Sequence, residues 1–233
     1  AAHALGSRYP NRRHVGASGN SVCFSFYANK NLSTAEGGAI ALSDSHKAER
    51  LRSLRMSGMD SNAWSRYTTA TTAFVAGVAE LGYKMNFTDL QAAIGRVQLG
   101  RFEQMAKTRL DLAKHYKKRL EDSGVQIPFQ SGVFDDSHAR HLMVAQFDPA
   151  KTGMQRDELL LALRARNIGA SIHYRPLHGQ PLYAAHGISQ LPVTESLAEK
   201  IMTLPISAKM TTDDVDYVIE NLIELLSHTK AAQ

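Results

Sequence analysis

Lys30 stands where a strand pattern ends, a position at which a lysine can take part in chemistry. From Phe24 the chain reads FSFYANKNLSTAEGG, so a strand runs into the lysine among small and polar residues and leaves through paired glycines. Ligands of open α/β sheets gather beyond the carboxyl ends of strands, and a lysine amine there can form a Schiff base. A surface lysine is the competing interpretation, because the segment matches no phosphate-loop pattern.

A second group of candidate residues consists of imidazoles. His138 and His141 are three positions apart, and His173 and His178 follow later in the chain. Histidines at i and i+3 on a helix can share a metal ion. His141 opens a strand pattern, however, and no carboxylate or cysteine completes the set, because the single cysteine, Cys23, can supply neither a thiolate cluster nor an internal disulfide. We therefore expect no metal site.

The elements around Lys30 follow from hydrophobic periodicity. Short apolar runs predict strands at Ser21–Phe26 and Gly38–Ser43, and a helical period predicts a helix over His46–Met56. This order of strands and helices predicts an α/β fold.

The later part of the chain carries a long helical pattern and then a smaller α+β unit. Thr88, with Gln91 three residues on, is typical of a capping box, and the pattern that it opens ends at Ser123-Gly124 as one long helix or a kinked pair. The remaining predicted elements are strands at His141–Phe147 and Ala170–Tyr174, a helix over Asp157–Arg166, and a last amphipathic helix whose cap pairs Thr211 with Asp214.

Composition excludes several classes of protein. With 233 residues, 43% hydrophobic and 21% charged, the chain can bury a core and is not disordered. The net charge of +5 is spread along the chain without a basic block that alternates with aromatics, so we expect no nucleic-acid partner. No apolar run approaches the roughly 18 residues of a membrane span and the start lacks a signal core, so we expect no membrane partner and a cytoplasmic protein.

Five sequence blocks together resemble the DegT/StrS family of pyridoxal-phosphate-dependent sugar aminotransferases. They are AAHALG, FSFYANKNLSTAEGG, LRSLRMSG, GYKMNFTDLQAAIGRVQL and HYRPLHGQPLY, in the family's order and approximate spacing. The resemblance implies an α/β fold of type I, with residues 1–108 as the later part of the large cofactor-binding domain and residues 109–233 as the small C-terminal α+β domain. It also implies pyridoxal 5'-phosphate as the cofactor.

By this resemblance Lys30 is the family's catalytic lysine. It would hold the cofactor as a Schiff base, and the amine freed by an amino donor would act as general base and acid. Ser25 would donate a hydrogen bond to the cofactor phosphate, and Asn86 would reach the phosphate of the neighbouring subunit, which implies a homodimer with a shared active site. Without the resemblance, Ser25 is a half-buried strand residue and Asn86 a turn residue before the helix cap.

Two further residues would border the cofactor ring. His3 resembles the family histidine beside the ring, and Ala2 has the small side chain that packs on the ring face. The family carries an aspartate immediately before this Ala-Ala-His run, where it pairs with the ring nitrogen, and that position falls ahead of residue 1. We therefore expect the family's N-terminal part to lie outside this sequence and the chain to hold only part of an active site.

The substrate side is predicted from two segments. HYRPLHGQ resembles the small-domain loop beside the sugar pocket, with His178 as its candidate substrate contact. The stretch from Met59 to Glu80 is too polar and irregular for an ordinary connection and indicates a functional loop. Its Trp64 and Arg66 resemble those of enzymes that aminate a UDP-linked 4-keto-pentose for lipid A, a part of lipopolysaccharide. An exposed loop arginine without a ligand is an equally good interpretation.

These features predict a ping-pong aminotransferase. Glutamate would give its amino group to the cofactor held by Lys30 and leave as 2-oxoglutarate, after which a keto group on a nucleotide-linked sugar would be aminated. The alternative is a non-catalytic cofactor-binding or sensing module, whose cofactor absorbance glutamate could not bleach. A nucleic-acid binder would instead bind DNA in a salt-sensitive manner and show no cofactor colour.

Overall fold

The structure is a computed structural model that describes residues 1–59, 77–184 and 190–230. The chain forms two compact units, Ala1–Phe102 and Glu103–Gln233. The domain division between residues 108 and 109 that the resemblance implies stays a prediction. None of the helices in the described ranges combines the length and the apolar character that a membrane span requires.

The first unit contains a two-stranded sheet. Strand β1 (Val22–Ser25) pairs antiparallel with strand β2 (Gly38–Ala41), and the end of β1 lies opposite the start of β2. Residues 26–37, which include Lys30, therefore connect the two paired strands. Both strands confirm the predictions made from their apolar runs.

Two capped helices follow the sheet. Helix α1 (Ser45–Leu54) begins after Asp44, whose carboxylate accepts a backbone N–H in the first turn. Helix α2 covers Asp89–Ser123, which is the first of the two predicted alternatives, one long helix. The Thr88 N–H donates to Oε1 of Gln91 at 2.8 Å and the Gln91 N–H to the Thr88 hydroxyl at 3.3 Å, which confirms the predicted capping box.

Two glycines allow a close backbone contact in the first unit. A Cβ on Gly58 would lie 1.8 Å from the carbonyl oxygen of Glu80, and a Cβ on Gly82 would lie 2.1 Å from the nitrogen of Gly58. Gly58 also has a φ of +71°, which disfavours other residues. Arg50 of α1 holds the same segment through an ion pair with Glu80 at 2.8 Å.

The second unit packs helices against another antiparallel pair. Strand β3 (Met143–Gln146) pairs with strand β4 (Ile201–Leu204), and helix α4 (Arg156–Ala165) contacts both β4 and helix α7 (Thr212–Lys230). The core of this unit contains these fully buried side chains: Tyr116, Val133, Met143, Phe147, Leu159, Leu163, Met202, Leu204, Val215, Ile219 and Leu222. The predicted strand near β3 and the predicted helices at α4 and α7 are confirmed.

The prediction of a strand at Ala170–Tyr174 is wrong. Ser171 forms only an isolated bridge with Thr203 of β4, through backbone hydrogen bonds of 3.1 and 2.7 Å. Pro176 follows closely and has no N–H with which to extend a ladder. Apolar alternation predicts a residue that can pair, but it does not separate a single bridge from a strand.

Periodicity also missed short elements of the second unit. They are helix α3 (Pro149–Thr152), a 3₁₀ turn (Leu177–Gly179), helix α5 (Pro181–Ala184), helix α6 (Pro192–Lys200) and strand β4. Each of these α-helices begins at a proline. The fixed φ of proline suits the first position of a helix, but in sequence-based prediction a proline indicates the end of a helix, so these helices were missed.

Candidate active site around Lys30

Backbone hydrogen bonds fix the loop that carries Lys30. The Lys30 N–H donates to the carbonyl of Tyr27 at 2.9 Å, and the Phe26 N–H donates to the carbonyl of Gly37 at 2.9 Å. Thr34, only 1% exposed, closes the loop from inside, because its N–H donates to the Phe26 carbonyl at 2.9 Å. The Lys30 side chain leaves this loop half-buried.

The Lys30 amine contacts an imidazole from the start of the chain. Lys30 Nζ lies 3.2 Å from Nε2 of His3, although 27 residues separate the two in sequence. Both side chains are half-buried, which limits the water that can compete for the contact. His3 lies in a turn closed by the Ala4 N–H, which donates to the Ala1 carbonyl at 3.0 Å. The structure thus brings together two residues predicted for one site.

Helix α2 supports the segments of both residues. Gln91 in its first turn donates from Nε2 to the carbonyl of Glu36 in the lysine loop at 2.7 Å. Further along, a Cβ on Gly6 would lie 2.8 Å from the ring of Phe102, so the N-terminal turn packs directly on the helix. The sequence indicated Gln91 only as part of a cap, and the capping pattern contains no signal for this second hydrogen bond.

The lysine loop also packs on α2 through Thr34. A Cβ on Gly95 of α2 would lie 3.1 Å from Cγ2 of Thr34, and the Thr34 hydroxyl donates to the carbonyl of Glu36 at 2.8 Å. The lack of a side chain at position 95 therefore lets the loop approach the helix. Sequence reasoning singled out neither residue, because a loop threonine and a helical glycine form no pattern of their own.

Ser25 and Ala2 lie in positions compatible with their predicted roles. Ser25 is the last residue of β1, and its Oγ accepts the N–H of Tyr27 at 3.3 Å, so the hydroxyl proton can still be donated to a ligand. Ala2 is exposed and precedes His3 directly. The roles of both residues toward a cofactor stay predictions.

Asn86 lies at a cavity of the first unit that residues of the lysine loop also line. It is exposed and lines a cavity of about 830 Å³ whose walls are largely apolar and include Phe24 and Tyr83. In the part of the chain that the structure describes, no hydrogen bond joins Asn86 to Lys30. The predicted contact with a neighbouring subunit's phosphate stays a prediction.

His178 belongs to the second unit and has a carboxylate partner. Its Nε2 lies 3.0 Å from Oε1 of Glu195, which also accepts the Leu191 N–H at 3.0 Å. The Leu191 N–H and then His178 hold the pKa of Glu195 below its ordinary value. The other predicted substrate residues, Trp64 and Arg66, lie outside the described residues.

Histidines considered as metal ligands make separate contacts. His138 accepts the Arg140 N–H on Nδ1 at 2.9 Å, and Nδ1 of His173 lies 2.9 Å from the Thr203 hydroxyl. Across residues 1–59, 77–184 and 190–230, no group of three His, Cys, Asp or Glu residues is arranged to hold a metal ion.

Comparison with known proteins extends the likeness to nearly the whole chain. The model of the DegT/DnrJ/EryC1/StrS aminotransferase family matches residues 1–223, a range that includes Lys30 and His3. The chain belongs to this family. The resemblance drawn from the five sequence blocks is thereby confirmed.

Three relatives are similar to this chain over nearly its whole length. The Bacillus subtilis spore coat polysaccharide biosynthesis protein SpsC is 38% identical over 232 residues, or 97% of this chain and 58% of SpsC. Helicobacter pylori PseC, an aminotransferase involved in pseudoaminic acid biosynthesis, matches with a TM-score of 0.86 and 25% identity over 98% of this chain and 58% of PseC. DesI, solved in the presence of its TDP-sugar product, matches with a TM-score of 0.82 and 26% identity over 97% of this chain and 54% of DesI.

This member of the DegT/DnrJ/EryC1/StrS family spans 58% of the length of SpsC. Its structural likeness to PseC and DesI confirms the predicted α/β class of fold type I.

Proposed function

We propose that the protein is a pyridoxal-phosphate-dependent aminotransferase that moves an amino group from glutamate to a keto group of a nucleotide-linked sugar. The observation that carries the proposal is the 3.2 Å contact between Lys30 Nζ and His3 Nε2 in a member of this aminotransferase family. An amine that reacts with a carbonyl must be reachable and held in place, and a half-buried amine beside an imidazole meets both needs.

The residues around Lys30 fit pyridoxal phosphate. Lys30 would hold the cofactor covalently through its amine, and the Ser25 hydroxyl, which retains a proton to donate, would bind a phosphate oxygen. Ala2 has no side chain beyond Cβ and would leave space for a flat ring beside His3.

Asn86 supports a homodimer with a shared active site. Its side chain is exposed, and its amide makes no hydrogen bond within the described residues. An exposed amide without such hydrogen bonds has two N–H donors that could bind the phosphate of a cofactor in a neighbouring subunit. The site would then draw residues from both subunits.

The amine of Lys30 would transfer the proton on which amino transfer depends. Pyridoxal phosphate, when bound, would supply an electron sink for the pair of electrons released when the substrate C–H bond breaks. Lys30 Nζ would accept that proton and later return it, so one residue would be both anchor and general base and acid. In a ping-pong order, glutamate leaves as 2-oxoglutarate before the keto sugar binds.

For the acceptor we propose a nucleotide-linked keto sugar, with a UDP-linked 4-keto-pentose as the first compound to test. The TDP-sugar product of DesI supports the nucleotide. Arg66 would meet the diphosphate and Trp64 the base. His178, held by Glu195, would contact the sugar. The aminated pentose would serve lipid A modification, and the reaction would take place in the cytoplasm.

Reductive trapping tests the cofactor assignment. The protein is mixed with pyridoxal phosphate, reduced with borohydride and mapped by mass spectrometry, and we expect the adduct on Lys30. Lys30→Met should lose this adduct, whereas Lys47→Met, a control at an exposed lysine of α1, should keep it. The absence of an adduct on Lys30 would overturn the cofactor assignment.

Glutamate separates the enzyme from the non-catalytic module. Added before borohydride, it should abolish trapping and release 2-oxoglutarate in an amount equal to the bound cofactor. Trapping that glutamate does not change would contradict the aminotransferase and favour a cofactor-binding or sensing module.

A further inference from the structure

The contact between His3 and Lys30 indicates which nitrogen of a neutral imidazole carries its proton when the lysine is an ammonium. A lysine ammonium has three donors and no acceptor, so the nitrogen that faces it must accept. That nitrogen is Nε2, at 3.2 Å from Nζ. A neutral His3 must therefore carry its proton on Nδ1.

In the described part of the chain, no carboxylate forms an ion pair with Lys30, so the imidazole is the partner that orients its amine. We propose that His3 is a positioning residue for Lys30, which holds the amine by accepting its hydrogen bond before any carbonyl compound arrives. The expected consequence of this role is a faster reaction of Lys30 with the cofactor, and that consequence rests on the proposed function. The hydrogen bond itself does not.

The fold keeps both partners of this hydrogen bond on one support. The turn of His3 packs on α2 where Gly6 meets Phe102, and the loop of Lys30 is tied to α2 by the hydrogen bond from Gln91. A long side chain such as lysine loses several rotamers when it is fixed. Because α2 holds both segments, we expect the distance between Nζ and Nε2 to be kept without a bound cofactor.

Nitrogen NMR of the cofactor-free protein tests the hydrogen bond directly. In a sample labelled with ¹⁵N-histidine, the signals of His3 should report the form protonated on Nδ1. Lys30→Met removes the donor, so it should shift the Nε2 signal of His3 and allow the form protonated on Nε2 to be populated as well. Lys47→Met should change neither the Nε2 signal nor the ratio of the two forms. A His3 protonated on Nε2, or one that does not respond to Lys30→Met, would overturn the proposal.

The rate of cofactor trapping on Lys30 tests the consequence. His3→Gln can place a carbonyl oxygen near the position of Nε2, whereas His3→Leu cannot accept a hydrogen bond. We expect His3→Leu to slow the appearance of the borohydride-trapped adduct about tenfold and His3→Gln to restore most of the rate. Equal rates in all three proteins, or His3→Gln as slow as His3→Leu, would overturn a positioning role.

The two experiments separate this inference from the proposed function. If the unmodified protein traps no cofactor on Lys30, the proposed function fails and the NMR result alone decides the hydrogen bond. If the cofactor is trapped on Lys30 at a rate that does not change when His3 is substituted, the cofactor assignment is supported and the positioning role is wrong.

Discussion

His138 titrates in surroundings that favour its neutral form. Its Nδ1 accepts the Arg140 N–H, and the side-chain amide of Gln130 lies 2.6 Å from its Nε2. Burial and then the charge of Arg140 lower the pKa of His138, although Asp135 opposes them. The unfolded chain therefore takes up a proton at a higher pH than the folded chain does, and stability is lost as the pH falls below the ordinary histidine value near 6.5.

We expect His138→Gln to weaken the dependence of stability on pH. The unmodified protein should lose more thermal stability between pH 7.5 and pH 5.5 than the variant does, because glutamine keeps hydrogen-bonding groups and cannot be protonated in this range. Thermal unfolding followed by circular dichroism at both pH values measures the difference. Equal losses in the two proteins would contradict the assignment.

The backbone contact at Gly58 predicts a severe effect from one added methyl group. Gly58→Ala would place Cβ 1.8 Å from the carbonyl oxygen of Glu80 at a residue whose φ is +71°. We expect a loss of about 2–4 kcal/mol in the free energy of unfolding, measured in urea. Gly100→Ala is the matched control, because nothing lies within 4 Å of its added Cβ in α2. It should stabilise the protein by about 0.5–1 kcal/mol.

At the scale of elements, Gln91 links the start of α2 to the lysine loop, and two substitutions separate its roles. Gln91→Glu keeps the oxygen that accepts the Thr88 N–H but loses the donor to the Glu36 carbonyl, whereas Gln91→Ala loses both. We expect both variants to speed hydrogen exchange of the Thr34 N–H in the loop, and Gln91→Ala, which also loses the cap, to lower the free energy of unfolding by about 1 kcal/mol. Unchanged exchange in Gln91→Glu would show that the loop does not depend on this hydrogen bond.

The elements found from sequence are those whose signal is local. The apolar run of β1 and the capping box of α2 each lie within a few residues, and both were predicted. The wrong strand at Ala170–Tyr174 and the missed strand β4 depend on which segments pair in space, which periodicity does not encode. The same holds for the candidate site, since the contact of His3 with Lys30 joins residues 27 positions apart. Only the family resemblance placed these two residues at one site.

At the scale of the whole molecule, buried apolar residues are unevenly shared between the two units. Among the described residues, Val22 and Leu32 are the buried hydrophobic side chains of the first unit, whereas the hydrophobic cluster that contains Tyr116 and Phe147 lies wholly in the second. Local opening of the first unit therefore exposes less apolar surface to water and costs less free energy.

We expect hydrogen exchange to follow this distribution in the intact chain. Amides of β3, β4 and α7 should exchange about 100-fold more slowly than those of β1 and β2. Exchange detected by mass spectrometry on peptic fragments measures both groups in one sample. Similar protection in the two sheets would mean that the first unit is stabilised by something other than buried apolar area.

The close contact between Thr34 and Gly95 predicts that substitutions at these two positions are correlated among homologues. Alanine at position 95 would press against Cγ2 of Thr34, the methyl group that serine lacks, while the hydroxyl that serine shares with threonine would still donate to the Glu36 carbonyl. Homologous chains with alanine at position 95 are therefore expected to carry serine at position 34. An alignment of the family would show this as paired substitution, with threonine beside glycine in one group of sequences and serine beside alanine in another.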